Sequence, residues 1–196
     1  MKKKKIAITG GIGSGKSSVA NILKELGFSV FSCDEVYKNI TQSASYIQKI
    51  QEAFPDAIVN NCIDKQRLAK IVFSNENARK QLNSIAHPLI MEQLFNQMED
   101  CIGDYVFAEV PLLFEEKLEG NFDEIWVIIR DLEGRIQSAM LRDGCDREDV
   151  IRRIKAQYDY ENSNSIQYFK EINAILIENN KGKSELKQTI LSLIHS

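Results

Sequence analysis

The chain of 196 residues is poor in the features that mark special classes of protein. Its four cysteines, Cys33, Cys62, Cys101 and Cys145, lie far apart with no Cys-x-x-Cys spacing. That spacing favours free thiols in a reducing compartment over a disulfide or zinc framework. No stretch approaches ~18 consecutive apolar residues, so no membrane span is expected. Lysine and arginine total 25 against 28 aspartates and glutamates, a net charge of −3. A nucleic-acid or anionic-membrane partner for the whole chain is thereby disfavoured. Lys2 to Lys5 could open a secretory leader, but only a few apolar residues follow before glycines begin, so no signal peptide is expected. With three prolines, 43% hydrophobic and 27% charged residues, the composition is that of an ordinary globular, cytoplasmic protein. A chain this long buries ~70% of its unfolded surface and needs no cross-links, so one large domain is expected.

Glycine is what the chain concentrates, and in one place. Lys5-Ile6-Ala7-Ile8-Thr9 is a short apolar run that stops at Gly10-Gly11-Ile12-Gly13-Ser14-Gly15-Lys16-Ser17. Behind it, Ser18 to Leu26 carries apolar residues at 19, 22, 23 and 26, which is helical spacing. Strand, glycine-rich loop, helix is the context in which Gly-x4-Gly-Lys-Ser binds nucleotide phosphates. Several successive N–H groups must come within reach of phosphate oxygens, and a Cβ at the tightest positions would obstruct them. The helix N-terminus adds partial positive charge. Gly11, Ile12, Gly13, Ser14, Gly15, Lys16, Ser17 and Ser18 are therefore the expected ATP-binding residues. Lys16 would reach the outer phosphates, and the Ser17 hydroxyl would hold Mg²⁺.

Gly27 should close the first helix, and Phe28 to Ser32 alternates as a second strand. In an open α/β sheet, the loops after parallel strands gather at one edge, which brings Asp34 toward the phosphate loop. Asp34 could equally cap the helix running from Glu35 to Gln42. Residues 44 to 103 show no convincing strand. Helices are expected at Tyr46–Phe54, Lys65–Phe73, Ala78–Ala86 and Leu89–Met98, with His87-Pro88 as a junction between the last two. Tyr105 to Val110 reads as a buried strand ending at Pro111. Glu109, near its end, is either a support for Mg²⁺ through water or an interior polar residue with a local partner. Glu124 to Ile129 and Ile175 to Ile177 complete the strands, and Ser184 to Ile194 forms the final helix.

Six of the eight arginines fall between 130 and 153. Arginine suits bidentate phosphate contacts and stacking on a base. Leu132 to Asp143 reads as a helix with Arg135 and Arg142 on one flank, Gly144 breaks it, and Arg147 to about Gln157 forms a second. Such a hairpin fits a phosphate-covering lid, although Asp131, Glu148 and Asp149 could simply pair its charges. Strands alternating with helices predict an α/β fold of P-loop kinase type, in three layers. A mostly parallel five-stranded sheet flanked by helices would form the core (1–34, 104–130, 172–196). A helical acceptor-binding insertion would occupy about 35–103 and an Arg-rich lid about 131–165.

These residues resemble one family, the dephospho-CoA kinases. Thr9 to Ser17 resembles that family's phosphate loop residue for residue, and Asp34 matches the aspartate ending its Asp-x-Asp-like segment. His87-Pro88-Leu89-Ile90 is similar to its His-Pro-Leu-Ile segment, and Val110-Pro111-Leu112-Leu113-Phe114-Glu115 to its Val-Pro-Leu-Leu-x-Glu. Leu141-Arg142-Asp143-Gly144 and Ala156-Gln157 resemble its lid, and Asn179-Asn180 its late asparagine-rich turn. The likeness runs in order over nearly the whole chain. Three departures stand out. Ser32 replaces the first aspartate of the pair, Arg135 and Ser138 stand where the family more often has Gln and Arg, and Tyr158 to Ser165 lacks arginine.

The resemblance implies ATP-dependent phosphorylation of the ribose 3′-hydroxyl of dephospho-CoA, giving CoA and ADP, with Mg²⁺. Asp34 would take the acceptor proton and Lys16 would hold the outer phosphates. Arg142, with Arg135 or Arg147, would cover the transferring phosphoryl. His87, Pro88, Pro111 and Leu112 would face the acceptor. ATP and dephospho-CoA are then the expected partners, with no nucleic acid and no membrane. Two other readings share the loop: another nucleotide or small-metabolite kinase, and a nucleotide-binding switch. Against the switch, no Asp-x-x-Gly follows the third strand.

Overall fold

The computed structural model describes residues 3–195; Lys2, at the head of the lysine run, lies outside them. The chain divides into a discontinuous unit, Met1–Val30 with Asp100–Ser196, and a second unit, Phe31–Glu99. No helix among the described residues is long and apolar enough to cross a membrane.

In the first unit, β1 (Lys4–Thr9) is followed by helix α1 (Lys16–Glu25), and the unit boundary falls within the next strand, β2 (Ser29–Ser32). After the second unit come β5 (Tyr105–Glu109) and β6 (Glu124–Ile129), then helices α6 (Leu132–Asp143), α7 (Arg147–Lys155) and α8 (Ser163–Glu171). Strand β7 (Ile175–Glu178) and helix α9 (Lys183–Ile194) complete it. The strands form one sheet in the order β2-β5-β1-β6-β7, with β1 parallel to β5 and β6, and β6 parallel to β7. Ile6 to Thr9 and Ile125 to Ile128 are buried throughout, as strands covered on both faces must be. Ile6, Ile8, Phe107, Trp126, Ile128 and Ile177 from the sheet pack with Val19, Ile22 and Leu23 of α1 and Leu186 and Ile190 of α9. The register sets Glu109 beside Ile8 and Val127 beside Thr9, so the ends of β5 and β6 flank the start of the glycine loop.

The second unit holds α2 (Cys33–Ile40), α3 (Ala44–Ala53), α4 (Lys65–Ser74) and α5 (Glu76–Asp100). It also contains a hairpin that the sequence did not suggest, β3 (Ile58–Val59) against β4 (Cys62–Ile63). Asn60 and Asn61 turn it with φ of 50° and 59°, the left-handed pair that a two-residue hairpin loop requires. Ser43 caps α3 by accepting from Tyr46 N, and Asp64 caps α4 by accepting from Gln66 N and Arg67 N.

The expected break at His87-Pro88 does not occur: α5 runs unbroken for 25 residues with Pro88 inside it. An interior proline forfeits one backbone hydrogen bond and costs ~3 kcal/mol. Ala78, Ala86, Ile90, Leu94 and Met98 are nevertheless buried at spacings of four or eight, a face that passes straight through the proline. Burial of that face on both sides outweighs the local penalty.

Candidate active site

Helix α1 begins without a cap. Its N-cap position is Gly15, in left-handed geometry with φ of 99°, with no side-chain hydrogen bond and no acidic residue in the first turn. Ser18 N and Val19 N turn back to Gly15 O. The amides of Gly13, Gly15 and Ser17 have no hydrogen bond within the chain among the described residues, as first-turn and loop donors do when an anion is to take them. The Ser14 hydroxyl is buried and has no protein partner. Lys16 Nζ lies across the loop, donating to the carbonyls of Gly10 at 2.8 Å and Gly11 at 3.1 Å. Ser17 Oγ donates to Glu109 Oε1 at 3.1 Å. A hydroxyl and a carboxylate thus meet at the open end of the helix, and both are hard oxygen donors of the kind Mg²⁺ takes. Among the described residues, no group of three or more His, Cys, Asp or Glu could cage a metal by itself. The pair fits an ion that keeps waters and shares phosphate oxygens.

The loop is also held from behind, and there the structure departs from expectation. Arg135 was expected over the phosphates. Instead it is only 6% exposed, with Nε donating to Ile12 O at 3.0 Å and Nη1 paired with Glu161 Oε1 at 2.8 Å. Ile12 N, expected to serve phosphate, donates to Gln157 Oε1 at 2.7 Å. The Ile12 side chain packs against Ile136, Ala139 and Val150, the apolar centre of the α6–α7 hairpin. Asn179 Nδ2 donates to Ser14 O at 2.9 Å, and Thr9 Oγ1 bonds Tyr160 Oη at 3.1 Å. Burial pushes the Tyr160 phenol well above its ordinary value, with the Thr9 hydrogen bond opposing.

Sequence reasoning missed this strap of residues 157–161. Its signal was aromatic: Tyr158, Tyr160, Tyr168 and Phe169 gather on Phe114, whose ring lies 5.0 Å from that of Phe169 and 5.2 Å from that of Tyr158. Glu115 accepts from Tyr158 N at 3.0 Å, which ties the strap to the turn after β5. In that turn Leu113 and Phe114 are buried, while Leu112 stays 40% exposed beside Pro111.

On the hairpin, Arg142 is an exposed side chain that pairs with Asp143 through Nε at 2.6 Å and Nη2 at 2.9 Å. The Asp143 hydrogen bond and, more weakly, the charge of Glu109 hold its guanidinium above the usual value. Arg147 is engaged elsewhere, gripping both oxygens of Glu133 at 2.8 Å. Next to α1, a polar cavity of about 300 Å³ is lined by Ser18, Asn21, Arg130, Asn179, Asn180 and Lys183.

In the second unit, Asp34 lies exposed in the first turn of α2, whose N-cap is Ser32. It is therefore not the cap but a first-turn acid suited to the helix dipole. His87 is half-buried and Pro88 exposed, both inside α5. A largely apolar cavity of about 620 Å³ opens between α2, α3, the hairpin and α4, lined by Tyr37, Tyr46, Ile63, Leu68, Val72 and Phe73, with the exposed Lys38 and Lys65.

A model of the dephospho-CoA kinase family matches residues 4–184. A curated dephospho-CoA kinase of Carboxydothermus hydrogenoformans is 32% identical over 195 residues, covering 96% of this chain and 92% of its own. A crystal structure of a Thermus thermophilus protein superposes with a TM-score of 0.84 at 29% identity, over 100% of this chain and 98% of that one. A dephospho-CoA kinase from Campylobacter jejuni superposes at 0.69 with 25% identity, over 99% and 96%.

Proposed function

Since the chain belongs to the dephospho-CoA kinase family, we propose that its glycine loop, Glu109, Arg142 and Asp34 are the groups through which it performs that family's reaction. The enzyme transfers the γ-phosphoryl group of ATP to the ribose 3′-hydroxyl of dephospho-CoA, giving CoA and ADP in the last step of CoA biosynthesis. The carrying observation is the uncapped N-terminus of α1 with the Ser17–Glu109 pair at its mouth.

Amides of Gly13, Gly15, Lys16 and Ser17 and the Lys16 ammonium hold the β- and γ-phosphates. The cavity beginning at Ser18 takes the nucleoside end. Ser17 would ligate Mg²⁺ and Glu109 would support it through water; bound there, the ion neutralises charge on the outer phosphates. Asp34 orients the acceptor hydroxyl. The 3′-oxygen forms its bond to the γ-phosphorus while the bond to the β–γ bridging oxygen breaks. That electron pair leaves on ADP, and the hydroxyl proton passes to the Asp34 carboxylate. Arg142 meets the charge on the transferring group. The transition state is loose, so positioning and charge neutralisation carry most of the barrier reduction.

The helical lobe of about 35–103, with His87 and Pro88, holds the acceptor, aided by Pro111 and Leu112. The apolar walls of its cavity suit the pantetheine arm, and Lys38 and Lys65 suit the pyrophosphate. The deciding experiment measures ADP release from Mg·ATP with and without dephospho-CoA, with product mass. Strong stimulation with CoA formed is expected. Nucleotide binding without stimulation would refute the acceptor.

A further inference from the structure

Arginine 135 sits where a kinase lid would be expected to offer a phosphate ligand, yet it is spent inward. Its Nε holds the Ile12 carbonyl and its Nη1 is ion-paired with Glu161 of the strap. A Cβ at Gly11 would lie 2.3 Å from Arg135 Nη2, and one at Gly13 would lie 2.1 Å from the Arg135 carbonyl oxygen. Gly11 falls outside the two fixed glycines of the Gly-x4-Gly-Lys-Ser pattern, Gly10 and Gly15. Its backbone φ is not in the left-handed region, so the loop conformation alone does not demand glycine there. What crowds a Cβ there is the guanidinium, which its bonds to Ile12 and Glu161 keep from swinging aside.

The same helix carries Arg142, seven residues on, about 10 Å along the axis on the same side. Ile12 is therefore gripped three ways: its carbonyl by Arg135, its amide by Gln157, and its side chain by the hairpin's apolar centre. A helix pinned at one point presents its far end at a fixed distance from the pin. We propose that Arg135, locked by Glu161, is a positioning residue: it fixes the Gly11–Gly13 turn for phosphate and, through α6, fixes the distance from that turn to Arg142. The inference rests on the kinase reading for Arg142's role, but its effect on ATP binding is independent of which acceptor is used.

The test compares R135A, R135K, G11A and the G11A/R135A double variant, by equilibrium titration of ATP and by steady-state kinetics. R135A should weaken ATP binding and raise KM for ATP by about tenfold or more, with KM for dephospho-CoA unchanged within twofold. R135K retains a charge for Glu161 but has no Nε at the Ile12 carbonyl, so it should restore the melting temperature without restoring ATP affinity. G11A should reproduce the ATP defect in the parent, where its Cβ meets a guanidinium held at both ends. It should add almost nothing in R135A, the non-additivity expected of two residues that share one contact, whereas independent sites would add. ATP affinity within twofold of the parent in a folded R135A would overturn the inference. So would additive effects of G11A and R135A, or equal losses for both substrates. If the parent binds ATP but does not phosphorylate dephospho-CoA, the acceptor reading fails while the titrations still decide Arg135.

Discussion

At the scale of single residues, the proposed function separates groups that would touch phosphate from groups that hold those groups. Ser17 and Glu109 meet at 3.1 Å at the open end of α1, and on the proposed function their joint task is the metal. Glu109→Gln keeps the shape and a hydrogen bond but removes the charge. The Mg²⁺ concentration for half-maximal rate should rise several-fold with little change in kcat at saturation, as expected of a carboxylate acting through water. An unaltered Mg²⁺ dependence would reduce Glu109 to a partner of Ser17. Asp34 has the opposite profile. Asp34→Asn should lower kcat by roughly 10²–10⁴-fold, the range for a lost general base, while ATP affinity stays within twofold. Turnover near the parent's would take Asp34 out of the mechanism. The strand–glycine loop–helix order is legible in the sequence because it is a local pattern, and β1, the loop and α1 stand where that pattern puts them. The placement of Arg135 is not: helical spacing sets it on the flank of α6 beside Arg142, and only the tertiary partners Ile12 and Glu161 reveal that it faces inward.

At the scale of elements, Asp143 ties the hairpin together. It accepts from Arg142 of its own helix and from Arg153 Nη1 of α7 at 2.6 Å. The Arg142 hydrogen bond first, then that of Arg153, hold its carboxyl well below the usual carboxylate range. A carboxyl lowered in the folded state stabilises above its unfolded value of about 4, and that contribution is lost as pH falls below it. Hydrogen exchange in α7, corrected for its intrinsic pH dependence, should therefore be steady from pH 8 to 5 and speed up below pH 4. Asp143→Asn should exchange faster at neutral pH and lose that acid step; identical profiles would dissociate Asp143 from the hairpin. Helical spacing makes α6 legible to the residue, and an unbroken apolar run does the same for β6. The hairpin at 58–63 was hidden because strands of two residues have no period, although Asn60-Asn61 was its turn signal. Helix α8 lies mostly between the expected lid, which ends at about 165, and the core resuming at 172, and the sequence reading gives it no helix despite the Asn162 cap that accepts from Ser165 N. The local helix-breaking effect of Pro88 is overruled by the continuous buried face of α5.

At the scale of the whole molecule, the two units carry different chemistry. Uncapped donors, lysine, arginine and a hydroxyl–carboxylate pair belong to the discontinuous unit, and an apolar cavity with two lysines belongs to Phe31–Glu99. If the first binds ATP and the second the acceptor, each ligand should leave its own footprint. A ligand at about 100 times its Kd adds ~2.7 kcal/mol to the stability of whatever must open to release it, which is up to ~100-fold slower hydrogen exchange there. Dephospho-CoA alone should slow exchange in α2, α3 and α4 around Tyr37, Tyr46 and Leu68. ATP alone should slow it in residues 10–19 and in α6. Lys16→Ala should abolish the ATP footprint and leave that of dephospho-CoA intact, since the lysine belongs to the loop alone. A dephospho-CoA footprint that spares Phe31–Glu99 would remove the acceptor from the helical lobe. A footprint there that vanishes in Lys16→Ala would mean that the lobe senses the phosphate loop rather than the acceptor.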